Sequence, residues 1–316
     1  RLERSVYTTF IVTVNLHHIN SGKKLCNADV DDIVQVVHEN PSITWIDLRE
    51  NSFTQNGIDQ FLRGIEQLFR IMECKIDDHL CPEGVLDMLE RNKLAQEVQF
   101  PHEELYDQLR PGTKLYAHQL NAVVWMYARE LDARKNNYCG GILAHSMGLG
   151  KTMTSLALIS LDPPDSRRSL IVCPKSVMLQ WKAEAVHRFF FEPDEIFIFD
   201  SMHCVYVFSL SYKSYSNFHY YYLESSCKEE YDTVKEKIRI VITSYSILQF
   251  LGKKRLQYAE LGHELEPDPL FDEKWHRVIC DEAHRARNPR SLTFRAISML
   301  KSVRYALASF HTLYIF

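Results

Sequence analysis

Long apolar runs are missing from these 316 residues. None approaches the ~20 needed to cross a bilayer as a helix, so a membrane span is excluded. Charge of one sign is missing too: 37 basic side chains stand against 41 acidic ones, a formal net of -4. That excludes a uniformly basic coat, but not a basic groove on an otherwise acidic protein. The eight cysteines (Cys26, Cys74, Cys81, Cys139, Cys173, Cys204, Cys227 and Cys280) include no pair at CxxC spacing, which argues against a structural zinc site. Cys173 and Cys280 lie inside the apolar strings LIVCP and RVICDE, where a thiol packs as a small hydrophobe. The usage points to a reducing compartment and no disulfide framework. No leader pattern is visible, and the first residue is Arg1 rather than Met, so a piece of a longer chain is expected. What is present, 46% apolar and 25% charged residues, is ordinary globular composition and excludes disorder and collagen-like character. The length suggests about two domains.

Residues 1–80 resemble leucine-rich repeats. That repeat reads L-x-x-L-x-L-x-x-N-x-L, with an Asn satisfying backbone groups at the turn. Ile43, Ile46, Leu48, Asn51 and Phe53 fill its positions, followed by Gly57 and the helical stripe Phe61, Leu62, Ile65 and Leu68. One repeat earlier, Ile11, Val14 and Leu16 match the strand and Val30, Ile33 and Val36 the helix. A generic strand–helix pair is the alternative. Two repeats do not close a solenoid core, so the array is expected to continue upstream of Arg1. Residues 81–112 read as a helical connector, with Leu86, Leu89, Leu94 and Val98 at loose helical spacing and Pro101 and Pro111 as punctuation. The boundary is placed near residue 100.

From residue 113 short apolar strings alternate with helical stretches: Gly141–Ala144, Ser169–Cys173, Ile196–Phe199, Ile238–Thr243, Arg277–Cys280 and Arg304–Ala308. Continuous Val/Ile/Leu strands separated by helices predict an α/β fold with a parallel sheet covered on both faces. The Tyr- and Ser-rich stretch at about 202–232 breaks this rhythm and reads as an insertion. Its aromatics interleaved with Lys could also stack nucleic acid.

Chemistry concentrates in GGILAHSMGLGKT. A strand ends at Ala144, a loop runs from His145 through Ser146, Met147, Gly148 and Leu149 to Gly150, and a helix opens at Lys151. Gly148 and Gly150 let the backbone approach phosphate oxygens closely. The loop amides and the helix N-terminus favour an anion. Lys151 reaches toward β- and γ-phosphates, and Thr152 offers a hydroxyl to Mg²⁺. The strict G-x-x-x-x-G-K-[ST] pattern is not met, since His145 stands where the first Gly belongs. In RVICDEAH a strand delivers Asp281 and Glu282 at its C-terminal end, where open α/β sheets bind ligands. Asp281 is assigned to Mg²⁺, and Glu282 to the attacking water. His284 would link the site to neighbouring loops. The basic clusters LGKKRLQ (251–257) and Arg167-Arg168 read as exposed helix or loop ends.

On these segments the chain resembles the SWI/SNF-type helicase-like ATPases of helicase superfamily two. KLYAHQLNAVVWM looks like the family's leading helix, LAHSMGLGKT its nucleotide loop in an ATRX-like wording, LIVCPKSVMLQWKAE and VITSYSIL the next two motifs, and CDEAHRARNPRS the acidic motif. The resemblance spans roughly residues 113–308. It implies a RecA-like first motor lobe over 113–316, ATP and Mg²⁺ as cofactors, Gln119 as the adenine reader, and Lys175, Ser176 and Ser244 facing DNA. It also implies duplex DNA or a nucleosome as partner, a nuclear setting in chromatin remodelling, transcription or repair, and catalytic roles for Lys151 and Glu282. A protein partner for the repeats is a further expectation. DEAH-type RNA helicases share the acidic letters but not the LQW and RNP contexts. The family's Leu-Thr-Gly-Thr-Pro stretch is reduced to Leu307-Ala308-Ser309-Phe310-His311, and no second lobe with its arginines is expected within these 316 residues. Arg285 and Arg287 are not placed to substitute. Slow turnover by the chain alone is therefore expected. The alternative function is a leucine-rich-repeat binding protein carrying a non-hydrolysing nucleotide-binding relic.

Overall fold

Helices and parallel strands alternate in the computed structural model, which describes residues 12–15, 24–41, 43–49, 51–77, 79–80, 83–136, 140–163, 168–200, 230–265, 267–302 and 305–308. Ile11, Leu16, Cys81, Cys139, Arg167, Cys204, Cys227, residues 202–229 and Ser309–His311 lie outside the described residues. Residues 1–102 with 116–128 form one unit, and residues 103–115 with 129–316 another.

In the first unit, β1 (Val12–Asn15), β2 (Ile43–Asp47) and β3 (Glu73–Lys75) form a parallel sheet in that order. They are connected through α1 (Val30–Glu39) and α2 (Gln55–Ile65), and α3 (Glu83–Glu97) follows. Ile43, Ile46 and Leu48 point into a core with Ile58, Phe61 and Ile65 of α2. Asn51 serves the turn: its amide donates to Leu48 O (3.1 Å) and Arg49 O (3.2 Å), and its oxygen accepts from Leu25 N (3.1 Å). The inward face of α1 is Val30, Ile33 and Val37, whereas the expected Val36 is 44% exposed. Seven residues make two helical turns, so position 37, not 36, returns to the side of position 30.

β3 was not expected. Ile71, Cys74 and Ile76 repeat the positions of Ile43, Ile46 and Leu48 one unit on, and Ile71 and Cys74 are buried. The stretch expected to be a plain connector contributes to this core, since α3 buries Val85 and Met88 there while Leu86 is exposed. Nor is the division a single cut near residue 100. Phe100 lies edge-on to Tyr127 of α5 (Ala117–Asn136), 5.3 Å between ring centroids, and Phe69 is 5.7 Å from Phe100. That aromatic contact draws the first half of α5 into the first unit, while the short α4 (His102–Asp107) belongs almost wholly to the second.

The second unit runs β4 (Gly140–Leu143), α6 (Lys151–Ser160), β5 (Ser169–Cys173), α7 (Met178–Arg188), β6 (Ile196–Phe199), β7 (Ile240–Ser244) and α8 (Tyr245–Glu260). It continues through β8 (Lys274–Trp275), β9 (Arg277–Asp281), α9 (Leu292–Ser298), β10 (Lys301–Ser302) and β11 (Tyr305–Ala308). Six strands pair in the order β4-β11-β9-β5-β7-β6, every pair parallel, while β8 and β10 pair apart. Both faces are covered. Leu170 and Val172 join a cluster with Val278, Cys280, Tyr245 and Trp275, while the alternating Ile171 and Cys173 are equally buried on the other side. Continuous apolar strands are what such a sheet requires. The expected α/β fold with a parallel sheet is therefore the observed one.

Candidate functional site

Strand register assembles the site. Ala308 on β11 lies opposite Leu143 of β4 on one side and Asp281 of β9 on the other. The loop after β4 and the acidic pair after β9 therefore leave the sheet at one level, two strand spacings or roughly 10 Å apart. β5 and β7 end at the same edge, with Cys173 opposite Ser244 and Val172 opposite Cys280. Four chain segments thus emerge side by side: 144–150, Pro174–Ser176, Ser244–Ser246 and Asp281–Glu282.

In the loop, Gly148 (φ 83°) and Gly150 (φ 74°) adopt left-handed backbone that a side chain would strain. A Cβ built on Gly148 meets nothing within 4 Å, so the loop is open above this residue. Gly150 caps α6 without a side-chain acceptor, and the first-turn amides of a helix have no intrahelical acceptors. Met147 and Leu149 are exposed, His145 and Thr152 half-buried, and Ser146 exposed. Lys151 reaches back across the loop, its Nζ donating to His145 O (2.7 Å) and Ser146 O (3.1 Å). Two of three ammonium protons are thereby used, and one remains for a ligand. Open space above Gly148, a helix N-terminus without a side-chain cap and a lysine over the loop fit a phosphate group.

Across from this loop, Asp281 is half-buried. Its Oδ2 accepts from Trp181 Nε1 (3.1 Å) and its Oδ1 from Glu282 N (3.0 Å). Burial raises its pKa above the ordinary carboxylate range. The indole bond pulls it back, as does the Lys151 ammonium, while the Glu282 charge raises it. Lys151 and Asp281 therefore feel each other's charge. Glu282 has φ 54°, ψ 45°, a left-handed conformation unusual outside glycine and one that recurs at functional turns. Its Oε2 is 3.1 Å from His284 Nδ1. Two protein oxygens, Thr152 and Asp281, suit Mg²⁺, which keeps several waters and takes few protein ligands.

Gln119 lies in the other unit, buried at the start of α5, where its Oε1 accepts from Tyr116 N (2.9 Å) as a helix cap. Lys175 and Ser176 are exposed, and Lys175 pairs with the buried Asp200 (3.1 Å). Ser244 differs from the expectation of a DNA-facing hydroxyl: it is 1% exposed, and its Oγ accepts from Ile247 N (3.3 Å) to cap α8. Ser246 is the exposed hydroxyl of that turn, bonded to Ser244 Oγ at 2.9 Å. A cleft of about 540 Å³ opens among Lys175, Ser176, Tyr245, Ser246, Gln249 and Arg285. Arg285 lies 5.8 Å over the Tyr245 ring. The basic clusters are partly tied down, Arg255 to Asp272 (2.7 Å) and Arg168 to Glu273 (3.1 Å).

Two site residues escaped sequence reasoning. Trp181 and Tyr245 both bond Asp281, from 100 and 36 residues away. Only the order of the finished sheet, in which β5 lies between β9 and β7, brings the helices that follow β5 and β7 to the end of β9.

A family model described as the SNF2-related domain matches residues 118–309. The chain belongs to this family. It is 29% identical over 283 residues to "DNA repair protein RAD5" of Candida albicans, covering 82% of this chain and 24% of that one. It is 28% identical over 202 residues to "DNA repair and recombination protein RAD54-like" of Drosophila willistoni, covering 62% and 22%. The chain thus spans about a quarter of the length of these curated relatives. Among solved structures it is similar to "Sulfolobus solfataricus SWI2/SNF2 ATPase core in complex with dsDNA", with 22% identity, a TM-score of 0.41, and coverage of 62% of this chain and 32% of that one. Membership of the SNF2-related family lends no support to the alternative of a binding protein with a nucleotide relic.

Proposed function

We propose that residues 113–316 are the ATP-binding lobe of a SWI/SNF-type DNA-dependent ATPase acting in chromatin remodelling, transcription or DNA repair. The carrying observation is the register that sets the 144–152 loop and the Asp281–Glu282 pair at one sheet edge. When bound, magnesium ATP supplies an electrophilic γ-phosphorus and a cation that offsets the phosphate charge. The amides of Met147, Gly148 and Gly150–Thr152 would hold the phosphates. Lys151 would donate to the β- and γ-oxygens, and Thr152 and Asp281 would give oxygens to the metal. Glu282 orients the attacking water and accepts its proton. Gln119 is assigned to adenine, and His145 and Ser146 give the loop its ATRX-like wording.

Duplex DNA, free or on a nucleosome, is the proposed partner, with Lys175 and Ser176 toward its backbone and the nucleus as the setting. Relatives named for DNA repair support this reading. Phosphate contacts would make such binding fall with salt. Residues 1–80 are proposed to be a leucine-rich-repeat-like segment presented to a protein partner. The Asn51 bonds and the parallel order β1-β2-β3 support it.

The test is titration of a fluorescent ADP analogue, with magnesium, into the wild type and Lys151→Ala. Removing a donor to a charged oxygen is expected to weaken binding about tenfold or more. Equal affinities overturn the assignment of the loop.

A further inference from the structure

Asp281 is held by two residues that lie outside its own motif. Trp181 on α7 is 1% exposed and spends its only polar hydrogen on Asp281 Oδ2, at 3.1 Å. Tyr245, 3% exposed at the start of α8, donates its hydroxyl to the main-chain carbonyl of the same residue, at 2.7 Å. The second carboxylate oxygen accepts from Glu282 N at 3.0 Å. A carboxylate at a strand end otherwise samples several rotamers. Here its side chain is held at both oxygens and its backbone at the carbonyl. Each carboxylate oxygen has two lone pairs, so each keeps one free for a cation after accepting its bond. A buried indole would be satisfied equally well by any nearby carbonyl. Its use on a half-buried acid, next to a phosphate-type loop, sets it apart from ordinary core packing.

We propose that Trp181 and Tyr245 are positioning residues of the metal–nucleotide site, clamping Asp281 by its side chain and its backbone so that it presents a fixed, ionised oxygen to magnesium. This rests on the reading that Asp281 faces a magnesium nucleotide. Neither residue changes charge in the reaction. The clamp acts on the metal and not on the loop, so its loss separates magnesium-dependent from magnesium-independent affinity.

The test uses Trp181→Phe and Tyr245→Phe, each deleting one donor while keeping a ring in place. Binding of the fluorescent ADP analogue is measured in excess magnesium and in EDTA. The wild type is expected to bind more tightly with magnesium. Trp181→Phe is expected to lose about five- to tenfold with magnesium and nothing in EDTA, and Tyr245→Phe about half as much in the same sense. Equal losses in both conditions mean a merely structural role and overturn the proposal, as does an unchanged magnesium dependence. A wild type without nucleotide affinity overturns the ATP reading and this inference together, while magnesium-dependent wild-type binding with unaltered variants overturns this inference alone. Should Trp181→Phe not fold, the assigned indole N–H resonance of Trp181 in the wild type decides. It is expected to shift with magnesium plus ADP and not with ADP in EDTA, and a resonance indifferent to magnesium overturns the clamp.

Discussion

Arg277 opens the strand that ends in Asp281, and its side chain is 1% exposed. Its guanidinium makes two bonds to Glu130 (2.6 and 2.8 Å) and two to Asp162 (2.7 and 3.1 Å). His276 Nε2 lies 3.2 Å from Asp162 Oδ1. The network pins the start of β9 to α5 and to the end of α6, and so sets where the acidic pair emerges. Arg277→Met keeps much of the volume but takes the guanidinium away from the buried Glu130 and the mostly buried Asp162. Breaking a buried pair in this way costs about 3–5 kcal/mol, a large part of the 5–15 kcal/mol that holds a typical domain.

Protons give an independent handle on the same network. Burial works against Asp162 ionising, but the Arg277 charge and bonds win and hold its pKa at about 2 against the ordinary 3.8. A carboxylate depressed on folding stabilises above its unfolded pKa, and that contribution is lost as pH falls through the folded value. At neutral pH this one group contributes roughly 2 kcal/mol, disappearing between about pH 4 and pH 2. Urea unfolding followed by tryptophan emission is the assay. In a Trp45→Phe, Trp125→Phe background the signal comes from Trp181 and Trp275, both in the second unit. Arg277→Met is expected to unfold at much lower urea and to lose less between pH 4 and pH 2 than its parent. Glu130→Gln with Asp162→Asn added to Arg277→Met is expected to regain most of the stability, since no buried charge is left over. A single variant within about 1 kcal/mol of the parent, or a triple variant no better than the single, would refute the reasoning.

Three further expectations follow from local geometry. An alanine at Gly252 of α8 would put its Cβ 2.8 Å from Ala296 Cβ and 3.3 Å from Ala296 Cα on α9. Overpacking of about 1–3 kcal/mol outweighs a helix-propensity gain of about 1, so Gly252→Ala lowers the melting temperature and adding Ala296→Gly restores it. Asn51→Ala deletes three bonds to the 25 and 48–49 backbone and is expected to cost the first unit about 2 kcal/mol, read by Trp45 emission. Asn51→Asp, which keeps only the acceptor, should fall between. Gly148→Ala forces a side chain into left-handed backbone at about 1–2 kcal/mol and fills the open space above the loop. It should weaken nucleotide binding about tenfold or more while the second unit, which carries the loop, still unfolds cooperatively in urea, and unchanged affinity would place the phosphates elsewhere.

What could be read from the chain alone divides by range. The Gly148–Lys151 turn and the Asp281–Glu282 pair are local: a strand, a special backbone and a helix follow one another within a dozen residues, and each announces itself by residue type. Asn51 is legible for the same reason, because its partners at 48 and 49 are its own turn. β3 is the harder case. Its exposed face carries Glu73 and Lys75, which look like loop residues, and only the echo of Ile43 and Ile46 in Ile71 and Cys74 marks it as a strand. Ser244 misleads because a serine after a strand serves equally as a surface hydroxyl or a helix cap, and the helix that follows decides for the cap. The Arg277 network and the Trp181–Asp281 bond are of another kind, joining residues 147, 115 and 100 positions apart. An arginine leading an apolar strand and a tryptophan in a helix each look complete by themselves. Their partners are set by the order β4-β11-β9-β5-β7-β6, which puts the fifth strand of this sheet in the chain, β9, beside the second, β5, and lets the helix after β5 reach the acid at the end of β9. Strand order follows from which faces pack best once all are present, and no window of sequence holds that comparison. The chemistry of the site is therefore written locally, while the aim of its carboxylate is written in the topology.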